Sequence, residues 1–161
     1  MATKVLAILE QKGHKVITVQ PHYTVASLVR VLTVNRIGAV PVINEEGRLV
    51  GIISERDVIH GMAQHGDVAL ALPVEQLMTR EVKTCSPEDA IVELMEVMTL
   101  QRIRHLPVVR NGALDGIVSI GDVVKQRLQE AQAKLEEAAQ LYLPVLLVCG
   151  AGKSAVRRHS A

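Results

Sequence analysis

Two short patterns in the sequence, each a serine followed three residues later by an aspartate, are candidates for chemistry. They are Ser54-Glu-Arg-Asp57 and Ser119-Ile-Gly-Asp122, and each lies between an apolar run and a predicted helix. This spacing is typical of a helix capping box, in which side chains hydrogen-bond the first backbone N–H groups. A helix N-terminus also attracts anions, and an aspartate there can accept hydrogen bonds from both hydroxyls of a ribose. The two interpretations are compatible, since serine can cap while aspartate faces a ligand.

Other candidates for catalytic or metal chemistry are weaker. Segment 150–154 resembles the end of a phosphate-binding P-loop, but the pattern needs glycine where the chain has Leu147, and only seven residues follow the segment. His60 and His65 have no third ligand nearby, so a metal site is not predicted. Cys85 falls on a predicted strand without a basic partner, which indicates a structural cysteine. No catalytic constellation emerges, and we predict a protein that is not an enzyme.

Composition excludes further classes of function. The 161 residues are 48% hydrophobic and 22% charged, so a packed core is expected. Lysine plus arginine number 18 against 17 aspartates and glutamates, and the chain has two tyrosines but no Phe or Trp. This balance argues against nucleic-acid binding. The longest apolar run, 145–149, is too short to span a membrane, and residues 1–13 do not read as a signal peptide. With two cysteines lacking metal-ligand spacing, we expect a reduced, cytoplasmic protein.

An internal repeat organises the chain. A shift of 66 positions aligns prolines, glycines and hydrophobic runs of the first half with those of the second. The matched segments are VITVQP (16–21) with VKTCSP (82–87), RIGAVPV (36–42) with RIRHLPV (102–108) and, after a one-residue deletion, GIISERDV (51–58) with GIVSIGDV (116–123). The sequence therefore predicts a tandem duplication.

Each copy is predicted to have the element order β-α-β-β-α. In the first copy the pattern predicts a strand over 16–19, a helix after Thr24, strands over 39–43 and 49–53 joined by a turn at 44–47, and a helix over 54–64. One copy alone has too little core to be stable, so the two should pack together with pseudo-two-fold symmetry. The predicted division is a leading helix (1–14), repeat 1 (15–66), a connector (67–80), repeat 2 (81–128), a C-terminal helix extension (129–143) and a poorly ordered tail (144–161).

The repeated unit resembles the cystathionine β-synthase (CBS) domain. The resemblance rests on the apolar-Pro-Val strands at 40–42 and 106–108 and on the two Gly-apolar-apolar-Ser-x-x-Asp units. Two such units in tandem resemble a CBS pair, or Bateman module, of the small stand-alone bacterial type, over roughly residues 15–127. The resemblance implies an α/β (α+β) fold of two pseudo-symmetric repeats packed together, with flanking helices.

The resemblance also implies a function. Such modules bind adenosine-containing ligands (AMP, ADP, ATP, S-adenosylmethionine, sometimes NAD) in the cleft between the copies and usually regulate an attached or partner protein. They need no other cofactor. Arg104 and His105 would approach phosphates, and aliphatic side chains such as Ile37 and Ile103 would sandwich the adenine. The implied ligand-binding residues are Ser119, Asp122, Arg104, His105, Ile37, Gly38, Ala39, His14, Lys15, Ser54, Arg56, Asp57, Thr79, Arg80 and Ile103.

The two ligand positions are expected to differ. Arg104 and His105 belong to the same copy as Ser119 and Asp122, whereas the first copy has glycine and alanine at the corresponding places. The position beside Asp122 is therefore predicted to bind phosphate more tightly than the position beside Asp57.

Partners remain open at this stage. We expect a homodimer or higher homo-oligomer, with Val29, Val31, Met95 and Met98 as candidates for an apolar helical interface. An unknown regulated protein is expected, with no nucleic acid and no membrane. The alternative hypotheses are a protein–protein interaction module without a bound ligand and, less favoured, an enzyme that uses the tail or the histidines.

Overall fold

The computed structural model describes residues 3–150, with side chains described for 3–142. The chain divides into two compact units, 1–123 and 124–161. The first unit contains the paired strands of both repeats, and the mixture of helices and strands confirms the predicted α+β fold. In chain order the elements are α1 (Val5–Lys12), α2 (Val25–Asn35), β1 (Ala39–Ile43), β2 (Leu49–Ser54), α3 (Glu55–His65), two short 3-10 helices (Gly66–Ala71 and Val74–Gln76), α4 (Ile91–Gln101), β3 (His105–Arg110), β4 (Ala113–Ser119) and α5 (Ile120–Gly150).

Each repeat is built on a two-stranded antiparallel hairpin. In the first repeat Val40 of β1 lies opposite Ile53 of β2, and in the second Leu106 of β3 lies opposite Val118 of β4. All four side chains are buried. The matched registers confirm the duplication that the sequence predicts, and β1 has the predicted bounds.

The prediction of a strand over 16–19 is wrong, because prolines interrupt the hydrogen bonds to β1 on both sides of Val19. Only Val19 pairs with β1: its N–H donates to the Pro41 carbonyl (3.2 Å), and its carbonyl accepts the Ile43 N–H (3.0 Å). In a parallel ladder, the next bonds would require an N–H from Pro21 on one side and from Pro41 on the other. Proline has no backbone N–H, so the strand is reduced to a single bridge.

The second repeat shows the same interruption at Cys85. Its N–H donates to the Pro107 carbonyl (3.0 Å) and its carbonyl accepts the Val109 N–H (2.8 Å), while Pro87 and Pro107 block the neighbouring bonds. Burial, with a smaller contribution from the charge of Asp89, raises the pKa of the Cys85 thiol to about 12. The thiol is therefore protonated at neutral pH, which agrees with a structural cysteine.

The segment that precedes each repeat packs against the hairpin of the other repeat. Val5 and Leu9 of α1 lie in the core of the second repeat. Val74 and Met78, from the connector, lie in the core of the first repeat. A unit of about 50 residues buries too little surface to be stable, and this exchange completes both cores.

Gly51 and Gly116 allow these segments to approach the hairpins closely. A Cβ atom on Gly51 would collide with Met78 Sδ, and a Cβ atom on Gly116 would lie 2.6 Å from Leu9 Cδ2. Carbon atoms without a bond between them pack at about 3.5–4.0 Å. The two glycines occupy equivalent places in β2 and β4, so the same close contact covers both hairpins.

Helix α5 is longer than predicted. The predicted extension ends at residue 143, whereas the helix continues to Gly150. Pro144 removes one backbone N–H, but the helix-favouring leucines that follow it continue the element. The remainder of the predicted tail, 151–161, lies outside the described residues. Leu128 and other apolar residues of α5 are exposed.

The apolar face predicted to mediate dimerisation is mostly used inside the chain. Met98 is only 2% exposed and belongs to the core of the second repeat, so its prediction as a dimer contact is wrong. Val29, Val31 and Met95 are half-buried against the cores of their own repeats. Homodimerisation stays a prediction.

We expect Gly51→Ala and Gly116→Ala each to lower the free energy of unfolding by about 1–3 kcal/mol, because Met78 or Leu9 must move to admit the added methyl group. Gly121→Ala in α5 is the matched control: its Cβ would lie 3.6 Å from the nearest atom, and alanine is the better helix former. Urea denaturation followed by circular dichroism measures all three. Unchanged stability of both strand variants would contradict the close packing described here.

Candidate functional site

Ser54 and Asp57 cap the N-terminus of α3, as the sequence predicts. Asp57 Oδ2 accepts hydrogen bonds from the backbone N–H and from Oγ of Ser54, both at 2.7 Å. Ser119 and Asp122 form the same two bonds at the N-terminus of α5, both at 2.8 Å. In both pairs these bonds fall on Oδ2, so capping leaves Oδ1 of each aspartate to other donors.

The first of these helix N-termini opens into a cavity of about 430 Å³. Residues from both repeats and from the segment between them line this cavity, which we call the Asp57 cavity. The lining residues are Gly38, Ala39, Ile52, Ser54, Glu55, Arg56, Asp57, Ile59, Thr79, Glu81, Lys83, Arg102, Ile103, Arg104 and His105. The site is thus concave and combines aliphatic walls with a limited set of polar groups, as small-molecule sites do.

The second repeat reaches the Asp57 cavity through the C-terminal end of α4. Arg102 there adopts the left-handed conformation, with φ of 54°. The N–H of Ile103 then bonds back to the Met98 carbonyl at 3.1 Å, a bond that closes the helix end. The chain reverses direction into β3 and brings Arg104 and His105 to the cavity wall.

The chain that leads into the second repeat contributes three residues to the cavity wall. They are Thr79, Glu81 and Lys83, and the backbone turns among them, because the Val82 N–H donates to the Arg80 carbonyl at 3.0 Å. Arg80, which the resemblance implies as a ligand-binding residue, does not line the cavity. Its Nη2 donates to the Glu75 carbonyl at 3.1 Å.

The cavity wall is rich in charge. Its cationic side chains are Arg56, Lys83, Arg102 and Arg104, and its carboxylates are Glu55, Asp57 and Glu81. Arg56 Nη1 also donates to the Arg102 carbonyl at 3.4 Å and so joins α3 to the second repeat. Guanidinium groups match phosphate oxygens in paired hydrogen bonds, so this wall suits a ligand that carries phosphate.

His105 is half-buried at the edge of this wall. Burial lowers the pKa of its imidazole, and the positive charge of Lys12 lowers the pKa further. The carboxylates of Asp122 and Glu55 oppose this in part, and Arg104 adds to the lowering. The ring is therefore neutral at neutral pH and can donate one hydrogen bond and accept another.

The second Ser–Asp pair has a different environment. Lys12 Nζ lies 2.8 Å from Asp122 Oδ2 and donates a second bond to the Ile117 carbonyl at 2.9 Å. Burial tends to raise the pKa of the Asp122 carboxyl, but the hydrogen bonds from Lys12 and Ser119 outweigh it and hold the pKa below its usual range. Neither Ser119 nor Asp122 is among the residues that line the Asp57 cavity.

Many of the residues implied by the resemblance meet in the Asp57 cavity. They are Gly38, Ala39, Ser54, Arg56, Asp57, Thr79, Ile103, Arg104 and His105. Those that do not line it are Ser119, Asp122, Ile37, His14, Lys15 and Arg80. Of these, Ile37 packs against the core of the first repeat, and His14 Nδ1 lies 3.1 Å from Asp115 Oδ1.

Several residues of the cavity wall are not among those predicted from the sequence. They are Ile52, Glu55, Ile59, Glu81, Lys83 and Arg102. One signal could have connected two of them, because Ile59 lies one helical turn after Glu55 and shares its helix face. Glu81 and Lys83 lie beside a tight turn, in which the Val82 N–H donates to the Arg80 carbonyl, and no periodicity indicates them. Arg102 aligns with Arg36, which does not line the cavity, and so the repeat alone gives no indication of its role.

The prediction that phosphate binds more tightly beside Asp122 than beside Asp57 depends on an assignment that the structure corrects. Arg104 and His105 were assigned to the position of Ser119 and Asp122 because they belong to the same repeat. Both line the Asp57 cavity, where the chain after α4 of the second repeat meets the N-terminus of α3 in the first. The position with the phosphate-matching arginines is therefore that of Asp57.

Comparison with known proteins identifies the family. The model of the CBS domain matches residues 12–64 and 74–129, so the chain belongs to the CBS-domain family and is a tandem pair. It is 36% identical over 129 residues to an uncharacterized 17.7 kDa protein of Acidianus ambivalens, a match that covers 80% of this chain and 75% of that protein.

Solved structures support the same assignment. A CBS-domain containing protein from Agrobacterium tumefaciens is 42% identical, with a TM-score of 0.77, and the match covers 79% of this chain and 95% of that chain. The CBS domain pair of protein MJ0100, in complex with methylthioadenosine and S-adenosylmethionine, is 26% identical with a TM-score of 0.72, covering 81% of this chain and 99% of that chain.

The described residues also lack two features, a metal-binding cluster and a membrane-spanning helix. No group of three or more His, Cys, Asp or Glu side chains in that part of the chain is arranged to hold a metal ion. No helix there combines the length and the apolar character needed to cross a membrane.

The lowered pKa of His105 predicts a pH dependence of stability. The unfolded chain binds a proton at this residue near pH 6.5, whereas the folded chain does so only at lower pH. The contribution of His105 to the free energy of unfolding is therefore fully present above pH 6.5, and it is lost as the pH falls through the pKa of the folded chain. Urea denaturation at several pH values between 5 and 8 should show a weaker acid destabilisation in His105→Gln than in the parent. The exposed His60 offers the matched control, His60→Gln. The same pH profile for His105→Gln and the parent would contradict the prediction.

Proposed function

We propose that this chain is a regulatory CBS pair that binds an adenosine phosphate in the Asp57 cavity. The observation that carries the proposal is the meeting of Asp57, at the N-terminus of α3, with Arg102 and Arg104 of the opposite repeat around one space of about 430 Å³. The CBS pair of protein MJ0100, solved with two adenosine compounds, supports an adenosine ligand for this arrangement.

Asp57 is suited to hold the ribose. Its Oδ2 is engaged in capping, so Oδ1 remains to accept from a hydroxyl. The first N–H groups of α3 and its dipole favour negative charge nearby. Ile52, Ile59 and Ile103 give aliphatic surface for the adenine ring, in place of stacking on Phe, Tyr or Trp, none of which lines the cavity.

The cations of the wall define the ligand class more narrowly. Arg56, Lys83, Arg102 and Arg104 offer three guanidinium groups and one ammonium group to phosphate oxygens. Methylthioadenosine has no charged group at the position where nucleotides carry phosphate, and S-adenosylmethionine has a positive sulfonium there. AMP, ADP and ATP therefore fit this wall better than either compound.

The regulatory role follows from the composition of the site. A ligand held by Asp57 from one repeat and by Arg104 from the other interacts with both repeats at once. It stabilises the arrangement in which these residues are close, and a partner protein that binds this arrangement differently would respond to the nucleotide. No residue in this proposal carries out covalent chemistry, and the protein acts as a sensor.

One observation favours the interaction module as a second candidate. Ile59, Met62 and Val68 form exposed apolar surface on and after α3, with Ile59 and Val68 more than 60% exposed. Such surface is typical of contacts between proteins. The two candidates differ in whether adenosine phosphates bind, which the following measurements decide.

Asp57→Asn tests the ribose contact. We expect ATP and AMP to bind about tenfold to a hundredfold more weakly, because hydrogen bonds to a charged group contribute about 1.5–3 kcal/mol. Asparagine retains an oxygen that can cap α3, so folding should be preserved. Asp67→Asn removes the same charge from an exposed position and is the matched control. Isothermal titration calorimetry measures all three proteins. No binding to the parent protein, or equal affinity of parent and Asp57→Asn, would contradict the proposal.

Arg104→Ala tests the phosphate contact. We expect the affinity for ATP to fall at least tenfold while the affinity for adenosine, which has no phosphate, changes little. Arg48→Ala, in the turn after β1, removes an exposed arginine that does not line the cavity and serves as the control. Equal losses for ATP and adenosine would show that Arg104 supports the cavity rather than the phosphates.

A further inference from the structure

The two repeats differ in the donor that hydrogen-bonds to one equivalent carbonyl of the second hairpin strand. In the first repeat the carbonyl of Ile52 accepts the backbone N–H of Thr79 at 2.9 Å, and the N–H of Ile52 donates to Thr79 at 3.0 Å. In the second repeat the equivalent carbonyl belongs to Ile117. It accepts from the side chain of Lys12, at 2.9 Å. An ammonium group thus takes the place of a backbone donor.

The difference arises from how α1 ends. The repeat aligns Gly13 with Thr79, but the N–H of Gly13 bonds back to the Leu9 carbonyl at 2.7 Å and closes the helix. It is therefore not available to Ile117. The lysine one residue earlier can reach this carbonyl instead, because its long side chain extends from the last turn of α1.

The core also distinguishes the two repeats at this position. The repeat aligns Lys12 with Met78, whose side chain is buried against Gly51. In the second repeat Leu9 occupies the equivalent place against Gly116. The side chain of Lys12 is consequently not needed in the core, and its ammonium lies at the N-terminus of α5.

This ammonium also neutralises the aspartate that is equivalent to Asp57. Lys12 Nζ is 2.8 Å from Asp122 Oδ2, whereas no ion pair to Asp57 occurs within 4.0 Å among the described residues. Three donors fall on Oδ2 of the Asp122 carboxylate: the N–H and Oγ of Ser119 and the ammonium of Lys12.

We propose that Lys12 closes the second ligand position, so that each chain binds adenosine phosphate beside Asp57 alone. The inference rests on the proposed function, since it concerns the site equivalent to the Asp57 cavity. The ammonium neutralises the charge of the Asp122 carboxylate, and a nucleotide that needs the space of the ammonium would have to displace it from both Oδ2 and the Ile117 carbonyl. Lys12 thus determines which of two similar positions takes the ligand.

Removing the ammonium in a background without the first site tests this inference. Asp57→Asn/Lys12→Met should gain a tighter class of ATP sites, about one per chain, in calorimetry, while Asp57→Asn alone should show only the weakened binding predicted above. Asp57→Asn/Lys134→Met is the matched control, because it removes an exposed lysine of α5 that does not line the Asp57 cavity, and it should resemble Asp57→Asn. Lys12→Gln serves as a second variant if the methionine form is unstable.

ATP binding by the parent protein separates a failure of the proposed function from a failure of the closure by Lys12. Binding of ATP to the parent reports on the proposed function by itself. Tighter ATP binding by the Lys12 double variant than by its Lys134 control supports closure by Lys12. The same weak binding in both, with the proteins folded by circular dichroism, would overturn the closure.

A readout without nucleotide checks the contact itself. The charge of Lys12 lies close enough to His105 to lower the pKa of its imidazole. The other charged groups facing that ring are Asp122, Glu55 and Arg104. Titration by NMR should show a higher His105 pKa in Lys12→Met than in the parent, and no change in Lys134→Met. An unchanged His105 pKa in Lys12→Met would show that the ammonium is not held at this place and would overturn the proposal.

Discussion

The close packing of α1 and the connector over the two hairpins is the constraint on which the rest of the structure depends. Gly51 and Gly116 leave room for Met78 and Leu9, and a side chain at either glycine would push the covering segment away. Because each covering segment precedes one repeat and covers the other, the repeats cannot separate without exposing both cores. The cavity between them follows from this exchange, since residues 79–83 run along the first repeat and on into the second.

The same exchange makes the two similar repeats unequal. In the connector, backbone groups reach β2 directly, and the N-terminus of α3 stays open towards the cavity. In the leading segment, the N–H of Gly13 bonds within α1 and not to β4. The side chain of Lys12 instead donates to the Ile117 carbonyl of β4 and to Asp122. A duplicated sequence therefore yields one open position, beside Asp57, and one position that the chain itself occupies.

Much of the fold could be predicted from the sequence, because the duplication doubles every local signal. The prolines, the paired hairpins and the capping serines and aspartates are all local patterns that the structure confirms. The first strands could not be predicted correctly from their β-prone residues, because Pro21 and Pro41 remove hydrogen bonds that join separate segments. The assignment of Arg104 to the ligand position of its own repeat was wrong because it, too, depends on contacts between separate segments. Sequence proximity does not show that a segment faces the helix of the other repeat, nor that Lys12 reaches Asp122 across 110 residues.

A crystal structure of the protein grown with ATP is the most direct test of the central claim, that one of two similar positions is open to an adenosine phosphate. We expect one nucleotide in the Asp57 cavity, with its ribose on Asp57, its phosphates near Arg104, and Lys12 still bonded to Asp122. A nucleotide beside Ser119 and Asp122, with the Asp57 cavity empty, would contradict this account.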